Sequence, residues 1–186
     1  MKNTTRYMIP VIFMAGILFS CRNEIEEIQA ITEEIEIPAQ TSLNARYDYT
    51  EMGKLRNTIQ AAQLDRYIIG EPRLEASGGF ELIIYDDKEQ PEAFLTADQG
   101  TYFEEKNELQ AHYNVILSNV NGDSLMTEEL FWVQDSAKVF TSRDVVICTN
   151  DGRIYGKGLE SDEKFTNYTI HNIHGNLTLD ETELDD

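Results

Sequence analysis

From residue 41 onward hydrophobicity alternates with a period of two. Leu109, Ala111, Tyr113, Val115 and Leu117 are separated by Gln110, His112, Asn114 and Ile116, the pattern of a strand with one strongly apolar face. Leu55, Asn57, Ile59 and Ala61 against Arg56, Thr58 and Gln60 read the same way. Further strands are predicted over Phe80 to Asp86, Ala93 to Ala97, Leu125 to Val133, Val139 to Thr149 and Phe165 to Ile173. Asn121-Gly122 and Asp151-Gly152 are strong hairpin signals, and Lys88 to Pro91 is another break. No segment after Pro38 keeps a helical period, so the domain is predicted to be all-β.

The alternation also repeats. Leu95 recurs as Leu125 and Ile154, and Ala97 as Thr127 and Gly156, at one nearly constant interval. Tyr102 maps onto Trp132, Leu109 onto Val139 and Asn114-Val115 onto Asp144-Val145 at the same interval, and a looser third copy places Ile173 slightly closer after Val145. Self-similarity at one period means a stacked unit whose apolar face is buried only by its neighbours. The expected result is two facing antiparallel sheets around an elongated apolar interior, with the first and last strands as open edges. Such edges must be covered, or used to pair with a partner's strand.

The N-terminus follows other rules. Lys2 and Arg6 precede an uncharged stretch from Tyr7 to Phe19, short for a membrane span and of the right size for a signal peptide. Leu18-Phe19-Ser20-Cys21 resembles a bacterial lipoprotein cleavage box, in which Cys21 would be lipidated; the alternative is an uncleaved membrane anchor. Both readings export the rest of the chain and hold it at a membrane. Residues 21–40 then form an acidic tether, in which Ile25, Ile28, Ile31 and Ile35 suit either a short amphipathic helix ended by Pro38 or a solvated linker. The β domain is expected over residues 41–177, and residues 178–186 form an acidic tail.

Charge and cysteine usage narrow the function. The chain carries 15 basic and 34 acidic residues, a formal charge of −19. Removing residues 1–20 takes away Lys2 and Arg6 and no acid, so the charge becomes −21. Nucleic acid is excluded as a partner, because its binding is driven by Lys and Arg neutralising phosphates. With Cys21 lipidated, Cys148 has no intramolecular partner, which excludes a disulfide framework and a Cys-based zinc site. His171 and His174 form an H-x-x-H, but an odd spacing on a strand sends them to opposite faces, and His112 is expected to face solvent. Glu104-Glu105 and Glu128-Glu129 are neighbours that likewise point apart, and Asn121 to Asp123 reads as a tight turn rather than a calcium loop. There is no G-x-S-x-G, no phosphate-binding glycine loop and no HExxH. Neither catalytic residues nor a cofactor or metal site is assigned.

Specific blocks carry a resemblance. Leu95-Thr96-Ala97-Asp98-Gln99-Gly100-Thr101-Tyr102, Asn114-Val115, and Asn121 to Trp132 stand in an order and spacing that resembles the LptC family, the membrane-anchored periplasmic component of the lipopolysaccharide exporter. Val139 to Cys148, Gly156-Lys157-Gly158-Leu159 and, upstream, Met52-Gly53-Lys54-Leu55 with Ile59-Gln60-Ala61 extend the similarity over roughly residues 42 to 176. The resemblance implies a twisted β-jelly-roll of two antiparallel sheets, open at both ends. It implies a non-catalytic protein at the periplasmic face of the inner membrane. Such a protein takes the acyl chains of lipopolysaccharide from the membrane subunits of an ABC transporter and passes them to an LptA-like periplasmic bridge protein. Many members keep a transmembrane helix where this sequence offers Cys21.

A carrier at −21 gains nothing by attracting a phosphorylated lipid, so affinity is expected from the chains, about 0.8 kcal/mol per buried CH₂. The candidate lipid-binding residues are Ile59, Ala61, Phe80, Leu82, Leu95, Ala97, Leu109, Val115, Leu117, Leu125, Leu130, Trp132, Val139, Val145, Ile147, Phe165 and Ile170. Each could equally belong to a filled core. The competing function is a structural lipoprotein that docks partner strands at its edges around a dry interior; a carbohydrate hydrolase would need a cleft with convergent carboxylates.

Overall fold

A computed structural model of the protein describes residues 36–174. The signal or anchor segment, Cys21, most of the tether and the acidic tail lie outside the described residues. Ten strands follow one another: β1 (Gln40–Glu51), β2 (Lys54–Tyr67), β3 (Arg73–Tyr85), β4 (Pro91–Ala97), β5 (Gln99–Phe103), β6 (Glu108–Asn119), β7 (Ser124–Val133), β8 (Lys138–Thr149), β9 (Gly152–Asp162) and β10 (Tyr168–Ile170). Every pairing is antiparallel, in the order β1-β2-β3-β4-β6-β7-β8-β9-β10, and β5 continues the line of β4 between β3 and β6. The domain is an all-β jelly-roll.

The two facing layers are made from opposite halves of the same strands, because the long strands are interrupted near their middles. Between His112 and Val115, β6 carries one more residue than β7, and Tyr113 and Asn114 take φ of 65° and 51°. Gly78 and Gly79, at φ 73° and 96°, form the matching break in β3, and β8 has one between Thr141 and Asp144. Bulges of this kind bend a strand and raise its local twist. At the β3 break, Gly100 of the neighbouring β5 lies so close to Phe80 that a Cβ there would sit 2.6 Å from the ring.

The repeat appears as continuous cross-strand rungs. Tyr47, Ile59, Leu82, Leu95, Leu117, Leu125, Ile147 and Ile154 pair in succession through one layer. Leu74, Tyr102, Leu109, Trp132, Val139, Ser161 and Tyr168 do so through the other. Each step of the repeat advances two strands along the sheet, one hairpin, so equivalent positions fall on the same rung. The predicted turns close these hairpins: Asn119 Oδ1 accepts the amides of Asn121 and Asp123, and Asp86 Oδ1 those of Lys88 and Gln90.

Four expectations are corrected. Tyr113 is exposed, since the bulge turns it off the apolar face. Thr58 is fully buried rather than solvent-facing; its hydroxyl donates to Asp48 Oδ1 at 2.7 Å, which satisfies the buried oxygen. The last strand spans only Tyr168–Ile170, because the Asp162 carboxylate holds residues 166 and 167 in a turn, and Ile173 is exposed. His112 is only partly solvent-facing, with its ring edge-on to Phe131 and Nδ1 3.6 Å from Glu129.

Candidate functional site

Between the N-terminal strands and the start of β6 and end of β7 the interior is hollow. A cavity of about 260 Å³ is lined by Tyr47, Asp48, Tyr49, Asn57, Ile59, Leu64, Leu74, Ala76, Phe80, Leu82, Gly100, Tyr102, Leu109, Trp132 and Gln134. Its walls are mostly aliphatic and aromatic, the character of a site for an apolar ligand. Each wall residue is set by its strand's alternation: Ile59 and Leu82 come from one layer, Leu74, Tyr102, Leu109 and Trp132 from the other. The absent side chain at Gly100 makes room for the Phe80 ring.

Farther along the sheet the interior is solid. Val115, Leu117, Leu125, Leu130, Val145, Ile147, Leu159 and Phe165 are all essentially without solvent contact. Phe165 enters this core from the turn after β9 at φ 52°, stacks on Tyr168 at 4.8 Å, and has its carbonyl held by Asn119 Nδ2 at 2.7 Å. Of the candidate lipid-binding residues, Ile59, Phe80, Leu82, Leu109 and Trp132 line the cavity. Ala61, Leu95, Ala97, Leu117, Leu125, Leu130, Val115, Val139, Val145, Ile147 and Phe165 are packed in the core, and Ile170 packs partly buried against it. Sequence reasoning did not pick out Tyr47, Tyr49, Leu64, Leu74, Ala76 and Gln134. The alternation of Tyr47 and Tyr49 with Arg46 and Asp48 was a usable signal for the first two.

A second, polar pocket of about 520 Å³ opens beside the cavity. Tyr49, Asn57, Trp132 and Gln134 line both. The rest of its wall is Glu51, Arg56, Ile84, Tyr85, Asp86, Asp87, Asn107, Asp135, Ala137, Glu163 and Lys164. The Tyr102 hydroxyl sits near this junction, donating toward Asn107 Oδ1 and Gln134 Oε1 at 3.1 Å, and burial pushes its ionisation upward. The two cations are already engaged: Arg56 with Asp87 at 2.7 Å and Glu51 at 3.4 Å, Lys164 with Glu92 at 2.7 Å. Burial raises the Glu163 carboxyl, offset in part by the nearby Trp132 indole N–H. Among the described residues the buried Trp132 Nε1 has no hydrogen bond that meets strict geometry, with the Glu163 carboxylate as its polar neighbour.

His171 and His174 are not brought together: His171 lies 3.7 Å from Glu160, and His174 Nδ1 is 3.2 Å from the Asn172 carbonyl. Among the described residues no three His, Cys, Asp or Glu side chains converge on a metal position, and no helix is long and apolar enough to cross a membrane. A search of curated proteins finds no match to the chain. At family level, residues 8–175 match the family described as lipopolysaccharide-assembly, LptC-related. That match takes in every described strand, cavity and turn, and the chain therefore belongs to the LptC family and has a part in lipopolysaccharide transport.

Proposed function

We propose that the protein holds acyl chains of lipopolysaccharide between its two layers and relays them, without catalysis, from the exporter's membrane subunits to an LptA-like bridge protein. Lipid on Cys21, or an uncleaved helix, keeps it at the periplasmic face of the inner membrane. The observation that carries this reading is the apolar pocket between the two layers, next to a close-packed core. Natural interiors leave few voids larger than a water molecule, and an apolar one is suited to hydrocarbon. The charge of −21 on the chain beyond residue 20 agrees with a grip on chains rather than on phosphates.

The test is a photo-crosslinking amino acid placed in cells at Leu74, in the cavity wall, and at Leu125, in the filled core. Lipopolysaccharide adducts are expected from position 74 and not from 125. If 74 yields none while exposed strand positions such as Leu43 capture protein, the structural docking function replaces the relay. For the anchor, Cys21→Ala is expected to abolish lipid labelling and processing; unchanged mobility on a gel favours the helix.

A further inference from the structure

One turn closes the solid half of the interior. Phe165 is the largest of the fully buried side chains among the described residues, yet it belongs to no strand. It lies in the turn between β9 and β10, where Thr166 and Asn167 beside it are exposed. Its φ of 52° falls in the left-handed region, which a bulky residue enters only where its surroundings hold it there. The hold comes from both layers. Asn119 at the end of β6 donates to the Phe165 carbonyl at 2.7 Å, and Lys164 pairs with Glu92 of β4 at 2.7 Å, while the Phe165 ring stacks on Tyr168 of β10. The Asp162 carboxylate fixes the turn from outside through Thr166 and Asn167. The turn is therefore a clasp from the layer of β10 to the ends of β4 and β6, with an aromatic ring set between the layers.

The clasp hangs on a short strand. β10 is last in the sheet and pairs with β9 at Tyr168, Thr169 and Ile170, followed by backbone hydrogen bonds of His171 and His174 to the same strand. It covers in cis the edge at which a partner's strand would pair. A strand that pairs with β9 there has to displace β10, and the stacked Phe165–Tyr168 pair ties the ring to that displacement.

We propose that β10 and its turn form a gate worked by the acceptor, with Phe165 as its plug. A strand docking on β9 displaces β10, withdraws the ring and opens the solid half of the interior to the chain held in the cavity. The gate rests on the reading that acyl chains lie between the layers, and adds the condition on which they advance. Docking and passage favour the same displaced state of β10, so each promotes the other. Without an acceptor the ring fills the space that a chain would take, and a loaded protein keeps its cargo away from an uncovered edge. The displaced state lasts only for the transfer, so the core around Leu125 stays closed in the bulk of the protein.

The plug and the strand are tested separately. In purified full-length protein mixed with lipopolysaccharide, a photo-crosslinker at Leu125, which pairs with Leu117 near Asn119, is expected to give background adducts. Phe165→Ala is expected to raise them about fivefold or more, toward the yield at Leu74. Loss of a buried ring lowers stability, so the smaller truncation Phe165→Leu is run beside it. If the folded variants leave Leu125 at background, the plug is overturned. In cells, Thr169→Cys with Glu160→Cys, made on Cys148→Ser, staples β10 to β9, since the two positions are exposed, directly opposite and within reach of a disulfide. The staple is expected to leave adducts at Leu74 in place and to cut lipopolysaccharide reaching the bridge protein about tenfold, with Thr169→Cys alone behaving as wild type. Normal delivery by the stapled protein overturns the gate. So does a loss of adducts at Leu74 on stapling, which places the fault in loading. If Leu74 is unlabelled even without the staple, the cavity reading itself fails.

Discussion

Gly100 and Phe80 share one space. A Cβ on residue 100 would lie 2.6 Å from the Phe80 ring, and the ring is itself enclosed. Gly100→Ala is expected to cost about 1–3 kcal/mol, because overpacking forces a side chain off its rotamer or shifts the backbone. Chemical denaturation measures the loss; an unchanged midpoint would mean that Phe80 has freedom to move. Asp162 and Glu163 are neighbours with opposite pH behaviour. For Asp162 burial pushes the carboxyl up, but hydrogen bonds from Thr166 and Asn167 outweigh it and hold the group below 3.8. Its contribution to stability is present above that unfolded value and is lost as pH falls through the lowered one. Burial holds Glu163 above 4.5, so its contribution is present below 4.5 and is lost as pH rises through the raised value. Urea midpoints measured across pH should therefore show Asp162→Asn flattening the acid limb and Glu163→Gln flattening the limb above 4.5. Identical profiles for the two variants would contradict the assignment.

The elements owe their shape to interruptions in otherwise regular strands. Asn114 sits in the β6 bulge at φ 51°, with Nδ2 donating to Asp98 Oδ2 at 2.7 Å beside the break between β4 and β5. Asn114→Val is expected to cost about 1–2 kcal/mol, since a β-branched residue resists the left-handed region, whereas Asn114→Gly retains that backbone freedom. Comparing the two by thermal denaturation tests the bulge directly: equal losses would assign the role to the side-chain hydrogen bond alone. Strands with a buried face were legible. Leu109, Ala111, Val115 and Leu117 all point into the core, and the hairpin turns stand where Asn-Gly and Asp-Gly predicted them. β1 was not singled out as a strand, because it is an edge strand exposed along most of its length and its alternation is confined to the few residues around Tyr47 and Tyr49. The failure at Tyr113 comes from the β6 bulge, for a bulge shifts which side chains face inward and alternation read in one dimension continues straight through it.

At the scale of the whole molecule, the rungs tie the hollow end to the solid end. Leu82 and Leu95 are linked through Leu117 and Leu125 to Ile147, so a ligand in the cavity should stabilise the sheet as one unit. A single thermal transition is expected, and at about one hundred times its dissociation constant a bound amphiphile should add about 2.7 kcal/mol. A second transition that ignores the ligand would separate the two ends. The candidate site was legible only in part for the same three-dimensional reason: of the inward-facing residues, those near Phe165 fill their space and those near Trp132 do not. Strict alternation, and its recurrence from Leu95 to Leu125 to Ile154, determined that this chain makes strands, where they turn, and which rungs they share. Both are local properties, carried by neighbouring side chains and turn residues. Which part of the interior is empty depends on how far apart the bulges set the two layers and on which side chains meet across them, and only the tertiary structure decides that.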